Sequence, residues 1–322
     1  VIQRETLEQH LNAVGITQWG VLTGESLAQE AQRLRAWLEA GHHADMDWMP
    51  RHADKRVTPA LLWEGVQSVV VVVVNYFPGW KAGQGEGLKI ARYALGKDYH
   101  KVIRRHLGKV LKALQAEYTN LEGRPFVDSA PLLEKALAVQ AGLGWQGKHS
   151  LLITKEWGSW VMIGTLFLNQ AVDAYTPPLG NHLETGHCGT CTRCITACPT
   201  QAIVAPTVVD SRRCIAYWTI ENAEADLPPL IQANQQGWIF GCDICQEVCP
   251  WNLKFSSVTE EPAFVPRASL HDPSVSFLKG LTPESFEIAM QASPLRRTGL
   301  KRLHRNIDAL DDAVKYNKAV TK

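Results

Sequence analysis

An α/β domain over residues 1–170, joined by a linker at 171–186 to a small cysteine-ligated domain at 187–255 and a helical segment at 256–322, is the architecture this sequence predicts. Three observations predict it. The valine run Val69 to Val74, inside SVVVVVVN, reads as a strand buried on both faces, and such a strand implies helices on each side of a sheet. A long helical stretch follows, with Ile103, Leu107, Val110, Leu111, Leu114 and Tyr118 recurring at helical spacing. All eight cysteines lie between Cys188 and Cys249, so one segment carries all the thiol chemistry.

The bulk numbers narrow the class. With 322 residues and roughly 100–200 residues per domain, two domains are the natural prior. The formal net charge is +1, so the chain is no polyelectrolyte, and nucleic-acid contact requires a local patch. Eleven tryptophans suggest large flat surfaces or a bulky cofactor, with ordinary core as the plain alternative. The longest apolar run is far short of the ~20 residues of a membrane span. The opening VIQRETLEQH has no apolar signal core and no twin arginine, so a cytoplasmic protein is expected. The first residue is Val rather than Met, as in a trimmed start.

Taken in order, Thr6–Val14 has the face of a helix, ended by Gly15, and Trp19–Leu22 reads as a short strand. Ser26–Ala40 reads as a second helix, with Ser26 as N-cap and Gly41 as its stop. His42, His43 and His52 follow in a polar stretch; without an acid or cysteine at ligand spacing they read as a solvated loop. Asp98 caps the long helix. Arg124–Val127 reads as another strand ending at Asp128, and Pro131 sits in the first turn of the next helix, which stops around Gly142 and Gly144. Leu151–Thr154 and Trp160–Leu168 read as a hairpin around Gly158. GQGEG, Gly83 to Gly87, is glycine-rich but follows no strand and opens no helix, so it reads as a flexible loop rather than a phosphate cradle, and nicotinamide binding is unsupported. The stretch between Cys214 and Cys242 reads as a mostly polar insertion.

The cysteines carry the chemistry. HCGTCTRCITACP places Cys188, Cys191, Cys194 and Cys198 before Pro199 at the spacing of bacterial ferredoxins, where three thiolates bind one [4Fe–4S] cluster and the fourth, before the proline, binds another. CDICQEVCP supplies Cys242, Cys245 and Cys249 before Pro250 but lacks a first cysteine; Cys214 is the one left over. Crossed ligation assigns Cys188, Cys191, Cys194 and Cys249 to one cluster, and Cys198, Cys214, Cys242 and Cys245 to the other. Zinc knuckles do not explain two Cys-Pro endings with a third cysteine upstream, and a disulfide framework is out of place in a chain without a secretory segment.

Beyond the cysteines, KRVTP (Lys55 to Pro59), GKDYH (Gly96 to His100) and VDSAPLLEKALAVQAGLGWQGKHSLLI (Val127 to Ile153) resemble the epoxyqueuosine reductase family over nearly the whole chain. That resemblance implies a flavin-reductase-like, cobalamin-binding first domain and a 2[4Fe–4S] second domain. It implies reduction of the epoxide of epoxyqueuosine at the tRNA wobble position, with Co(I) cobalamin as reductant fed by the clusters. The proton donor falls on Asp128; from its position alone Asp128 reads equally as a helix cap or turn residue. A donor must be protonated in the complex, and an apolar corrin roof raises a carboxyl pKa. Cobalamin contacts fall on Arg56, Asp128, His149, Leu152, Ile163, Ala216 and Asp243, several of which also read as plain core or loop. His149 need not be an axial ligand, because the Asp-x-His-x-x-Gly signature is absent.

The implied partners are epoxyqueuosine-bearing tRNA and an external flavodoxin- or ferredoxin-type electron donor, with no membrane and a monomer expected. Many members continue into a helical-repeat domain that grips tRNA; this chain ends at Lys322, so weaker tRNA affinity is expected. Its last segment carries Arg296, Arg297, Lys301, Arg302 and Arg305 beside an apolar seam of Leu300, Leu303, Ile307 and Leu310, which reads as a docked helix presenting cations to RNA phosphates or simply to solvent. The competing readings are a reductive dehalogenase and a ferredoxin-like electron carrier.

Overall fold

The structure, a computed structural model, describes residues 1–81, 83, 87–177 and 186–320, with side chains through residue 310. Part of the glycine-rich GQGEG stretch (residues 84–86) and half of the expected linker (residues 178–185) lie outside the described residues.

Four strands, Gln18–Leu22, Ser68–Asn75, Val161–Leu168 and Gly123–Phe126, form one sheet in that spatial order, and every pairing in it is antiparallel. The valine strand is interior. Because side chains alternate across a strand, Val70 and Val72 enter one core with Leu7, Leu11, Ile103 and Leu107. Val69, Val71 and Val73 enter the other, with Leu132, Leu137 and Leu152. Burial on both faces is thus as the valines predict, in an antiparallel α+β arrangement. The helix Tyr99–Glu117 covers the first face; Asp98 starts it by accepting the backbone N–H of His100 at 3.0 Å. The helices Ala28–Glu39 and Glu134–Gln140 lie with the second core.

Several local expectations are corrected. Leu152–Ile153 pairs with Trp145–Gln146 rather than with the strand Val161–Leu168, whose partners are the valine strand and Gly123–Phe126; only a single bridge, Thr154 to Gly158, survives of the expected hairpin. Ser26 caps nothing: the helix begins at Ala28, and the Ser26 hydroxyl donates to the Val57 carbonyl. Pro131 precedes its helix, which starts at Glu134. The described start of the linker is ordered against the sheet, with Ile2 bridged to Val172 and Thr176 N–H donating to the Val21 carbonyl.

The stretch between Cys214 and Cys242 is also less polar than it reads. It folds into helices Ile215–Ile220 and Pro229–Asn234 and a strand, Trp238–Phe240, that pairs in parallel with Lys89–Ile90. Around that pairing Ile90 and Leu95, Ile239 and Phe240, and Leu303 and Ile307 share one core. Segments assigned by sequence to three domains are therefore sewn together by common packing. Among the described residues no helix is long and apolar enough to cross a membrane.

Candidate active site

Between the sheet's second core and the cysteine-bearing segment lies a cavity of about 1060 Å³. Arg56, Asp128, His149, Leu152, Ile163, Ala216 and Asp243 all line it. So do Cys198, Cys214, Cys242 and Cys245, while Cys188, Cys191, Cys194 and Cys249 do not.

All eight cysteines are free, with none in a disulfide. Their mutual charge effects reveal who neighbours whom. The Cys194 thiol is pushed up to about 11, by burial first and then by Cys188, Cys249 and Cys191. Burial also raises Cys249, with Cys188 and Cys191 adding to it. Cys214 is raised by burial and by Cys198, and Cys242 by burial, Cys245 and Cys214. Cys245 feels Cys214 and Cys198, and also Cys194 across the gap between the groups. The chain thus gathers two quartets side by side, and each joins cysteines far apart in sequence. Among the described residues no three ligand side chains converge on a single metal-ion position; a cubane attaches each thiolate to a different iron, so its ligands need not converge on a point.

Arg92 fixes the cluster segment to the first domain. It is 1% exposed and bridges Asp243 at 3.1 Å and Glu247 at 2.6 Å, and it donates to the Trp80 carbonyl. Asp243 therefore borders the cavity with its carboxylate already engaged. Arg56 is similarly occupied: its guanidinium donates to the Trp48 and Met49 carbonyls, pinning the short helix Trp48–Arg51 at the cavity.

His149 is different. Its Nδ1 accepts the Leu151 backbone N–H at 3.2 Å. Burial, and then the charge of Lys135, pull its pKa down to about 4. A neutral ring with Nδ1 accepting carries its proton on Nε2, and Nε2 is buried with no partner in the protein. An orphaned donor on a cavity wall fits a ligand that brings hydrogen-bond acceptors, as the amide-fringed corrin of cobalamin does, and an N–H is not a metal-ligating nitrogen. The apolar Leu152 and Ile163 on the same lining suit a flat macrocycle.

Asp128 stands just past the strand Gly123–Phe126 in the left-handed backbone region, at φ +53°. Its N–H donates to both oxygens of Glu134, at 2.9 and 3.0 Å. Its Oδ2 accepts a hydrogen bond from the Tyr99 hydroxyl and lies 3.5 Å from His100 Nε2. The side chain is set deep in the protein yet remains 60% exposed, because it faces the cavity. Burial works to raise its pKa, but hydrogen bonds from His100 and Tyr99 and the charges of His100 and Arg297 outweigh it and hold the carboxyl below its ordinary range. In the protein alone the direction is thus opposite to that expected beneath a corrin. Glu134 goes the other way, pushed up to about 8 by burial and by the Asp128 charge.

Two family models match the chain. A 4Fe-4S double cluster binding domain covers residues 187–252, and a model described as epoxyqueuosine reductase QueG, DUF1730 covers residues 56–129. An epoxyqueuosine reductase of Cyclobacterium marinum is 41% identical over 310 residues, which span 94% of this chain and 97% of that one. The chain belongs to the epoxyqueuosine reductase family. It is an oxidoreductase of that family, with a double-cluster domain. The epoxyqueuosine reductase of Escherichia coli is also 41% identical, and there the match covers 81% of the longer relative. A solved structure of epoxyqueuosine reductase with a tRNA-Tyr epoxyqueuosine-modified tRNA stem loop aligns with a TM-score of 0.84 at 26% identity, over 95% of this chain and 80% of that one.

Within the family frame, the sequence reading picked out Asp128 but missed what surrounds it. Tyr99, His100 and Glu134 were visible only as parts of GKDYH and of the stretch after Val127. Arg92 carried no motif at all; its one signal is a lone charged residue between apolar Ala91 and Tyr93.

Proposed function

We propose that the chain reduces the epoxide of epoxyqueuosine in tRNA to the alkene of queuosine, with cobalamin in the cavity and [4Fe–4S] clusters on the two cysteine quartets. One observation carries the reading: the seven residues expected to meet cobalamin share one cavity with the quartet Cys198, Cys214, Cys242 and Cys245. The flavin-reductase-like part of the chain, residues 1–170, contributes the sheet side of that cavity, and residues 187–255 the cysteine side. When bound, cobalamin supplies a low-potential, strongly nucleophilic reductant for the epoxide, and the clusters supply its electrons singly.

The chain's own residues do the rest. His149 would offer its Nε2–H to an acceptor on the bound cobalamin, and Leu152 and Ile163 would exclude water from it. Arg56 holds the short helix Trp48–Arg51 in place. The quartet on the cavity wall would hold the cluster nearer the reaction, and Cys188, Cys191, Cys194 and Cys249 would hold the other, open to a flavodoxin- or ferredoxin-type donor. Asp128 delivers a proton to the epoxide oxygen as the ring opens. The site of action is the cytoplasm, where the tRNA is.

The deciding measurement is anaerobic single turnover. Protein reconstituted with clusters and cobalamin, given an epoxyqueuosine-bearing stem loop and a chemical reductant, should form queuosine. Clusters without bound corrinoid would point to an electron carrier. Full loading of both without any queuosine would overturn the reading.

A further inference from the structure

Converting an epoxide to an alkene breaks both C–O bonds, forms the C=C bond and releases the oxygen as water. It consumes two electrons, here from the external donor through the clusters, and two protons, and both protons end on the same oxygen. Asp128 holds one proton at a time. We propose that His100, oriented by Asp98, is the proton store that reloads Asp128 within each turnover. The inference rests on the function proposed above and adds a positioning residue that acts through Asp128.

The geometry is that of a relay. Asp98 Oδ1 accepts the His100 backbone N–H at 3.0 Å and lies 2.7 Å from its ring Nδ1, so cap and imidazole are fixed by one carboxylate. Nδ1 bound to Asp98 leaves Nε2 facing Asp128 Oδ2 at 3.5 Å. The ring stacks on Tyr99 with centroids 4.1 Å apart. His100 is not part of the cavity lining, whereas Asp128 is, so a proton from the imidazole reaches the cavity through the carboxylate. The His100 side chain is 26% exposed, which lets it recover its proton from solvent.

Carboxylates dominate its surroundings. Asp98 faces it from the helix start, Asp128 from the loop after Gly123–Phe126, and Glu134 acts on it from the next helix. The nearby cations are turned elsewhere: Arg297 acts on Asp128 and is paired with Glu221, Lys101 acts on Asp98, and Arg104 donates to the Ser129 hydroxyl. Burial works to lower the His100 pKa, but the hydrogen bonds and charges of Asp128 and Asp98 raise it to about 9. At neutral pH the pair rests as imidazolium and carboxylate. One proton passes from Nε2 to Oδ2 and on to the substrate oxygen. His100 takes another from water, and the same path delivers the second.

The test uses holoenzyme carrying His100→Gln or Asp98→Asn. Asn caps a helix about as well as Asp, so the second variant removes the charge while keeping the helix start. His100 titration is followed by NMR of histidine-labelled protein, assigned by its loss in His100→Gln, and single-turnover rates are measured across pH. The native rate should hold until about pH 9, where His100 loses its proton. In His100→Gln the rate should fall about tenfold per pH unit through neutrality, as solvent must load Asp128 directly. In Asp98→Asn the His100 titration and the alkaline fall of the rate should move down together. An alkaline limb unchanged in both variants overturns the proposal. So does a native His100 that titrates at its ordinary value, or one whose titration is unmoved by Asp128→Asn. These last two readings need no turnover, so they judge the relay even if the substrate assignment fails.

Discussion

One cavity has two unlike linings. The cysteine lining is made of residues whose chemistry is the same wherever they stand: thiols that bind iron. The acid lining, Asp128 with Tyr99 and Glu134 and with His100 behind it, depends for its chemistry on its neighbours. Two carboxyls a few residues apart in sequence, Asp128 and Glu134, are driven in opposite directions by burial and hydrogen bonding. In the proposed reaction the difference separates two deliveries: electrons from a side fixed by ligand identity, protons from a side fixed by a network.

The largest effect should come from the cysteine lining. Cys214→Ala and Cys242→Ala should each lower iron from about eight to about four atoms per chain and abolish turnover, because both remove the cluster on the cavity wall. Cys191→Ala should remove the other cluster. It should slow re-reduction by a protein donor while leaving a first turnover with chemical reductant. If Cys214→Ala keeps full iron and both cluster signals, the crossed assignment is wrong.

On the acid lining, Asp128→Asn should keep fold, clusters and corrinoid and lower single turnover by roughly 10²–10⁴. Asn tolerates the left-handed backbone there and still presents a backbone N–H to Glu134, so the loss isolates the proton. Near-normal turnover at full corrinoid loading would remove Asp128 from the mechanism.

What was legible in the sequence follows the same divide. Cysteine spacing and the valine run carry their meaning locally, so the double-cluster domain and the two-faced sheet could be read directly. The basic segment shows the opposite case. Arg302 and Arg305 read as cations for RNA phosphate, but Arg302 donates to the Ile220 and Glu221 carbonyls and Arg305 to those of Trp218, Asn222 and Glu224. They satisfy the open carbonyl end of the helix Ile215–Ile220. Arg297 is paired with Glu221 and Arg296 with Glu287. The apolar seam was read correctly, with Leu303 and Ile307 buried. A charge has no fixed role until its partners are known, and those partners lie some 80 residues away in sequence.

Arg92 joins the two linings, and its removal tests whether they are held as a unit. Arg92→Met leaves Asp243 buried without its cation, and stability should fall by about 3–5 kcal/mol. Replacing Asp243 by Leu as well should restore much of it, since an apolar pair of similar volume needs no partner. Denaturant unfolding at fixed cluster loading reads both. A double variant no better than the single one would show that Asp243 needs no counter-charge.

The smallest effect concerns two histidines, His149 on the cavity wall and His100 behind Asp128, that titrate in opposite senses. His100 has a folded pKa raised to about 9 from its ordinary 6.5, so its contribution is complete below about pH 6.5 and is lost as pH rises through about 9. Glu134, raised to about 8, loses stability in the same direction over a lower range. His149, lowered to about 4 by burial and Lys135, contributes above about pH 6.5 and loses that contribution as pH falls toward about 4, because the unfolded chain takes the proton that the buried ring refuses. Stability should therefore stay nearly level between about pH 4.5 and 6.5, where the His149 gain and the Glu134 loss offset each other, and fall above about pH 6.5, where His100 and Glu134 lose their contributions together. His100→Gln should make the alkaline fall shallower, and His149→Gln should uncover the Glu134 loss, so that stability declines from about pH 4.5 upward. Melting temperatures across pH, at constant corrinoid loading, separate the two ranges. If either variant changes both ranges alike, the two histidines are coupled through the cavity rather than set by their own neighbours.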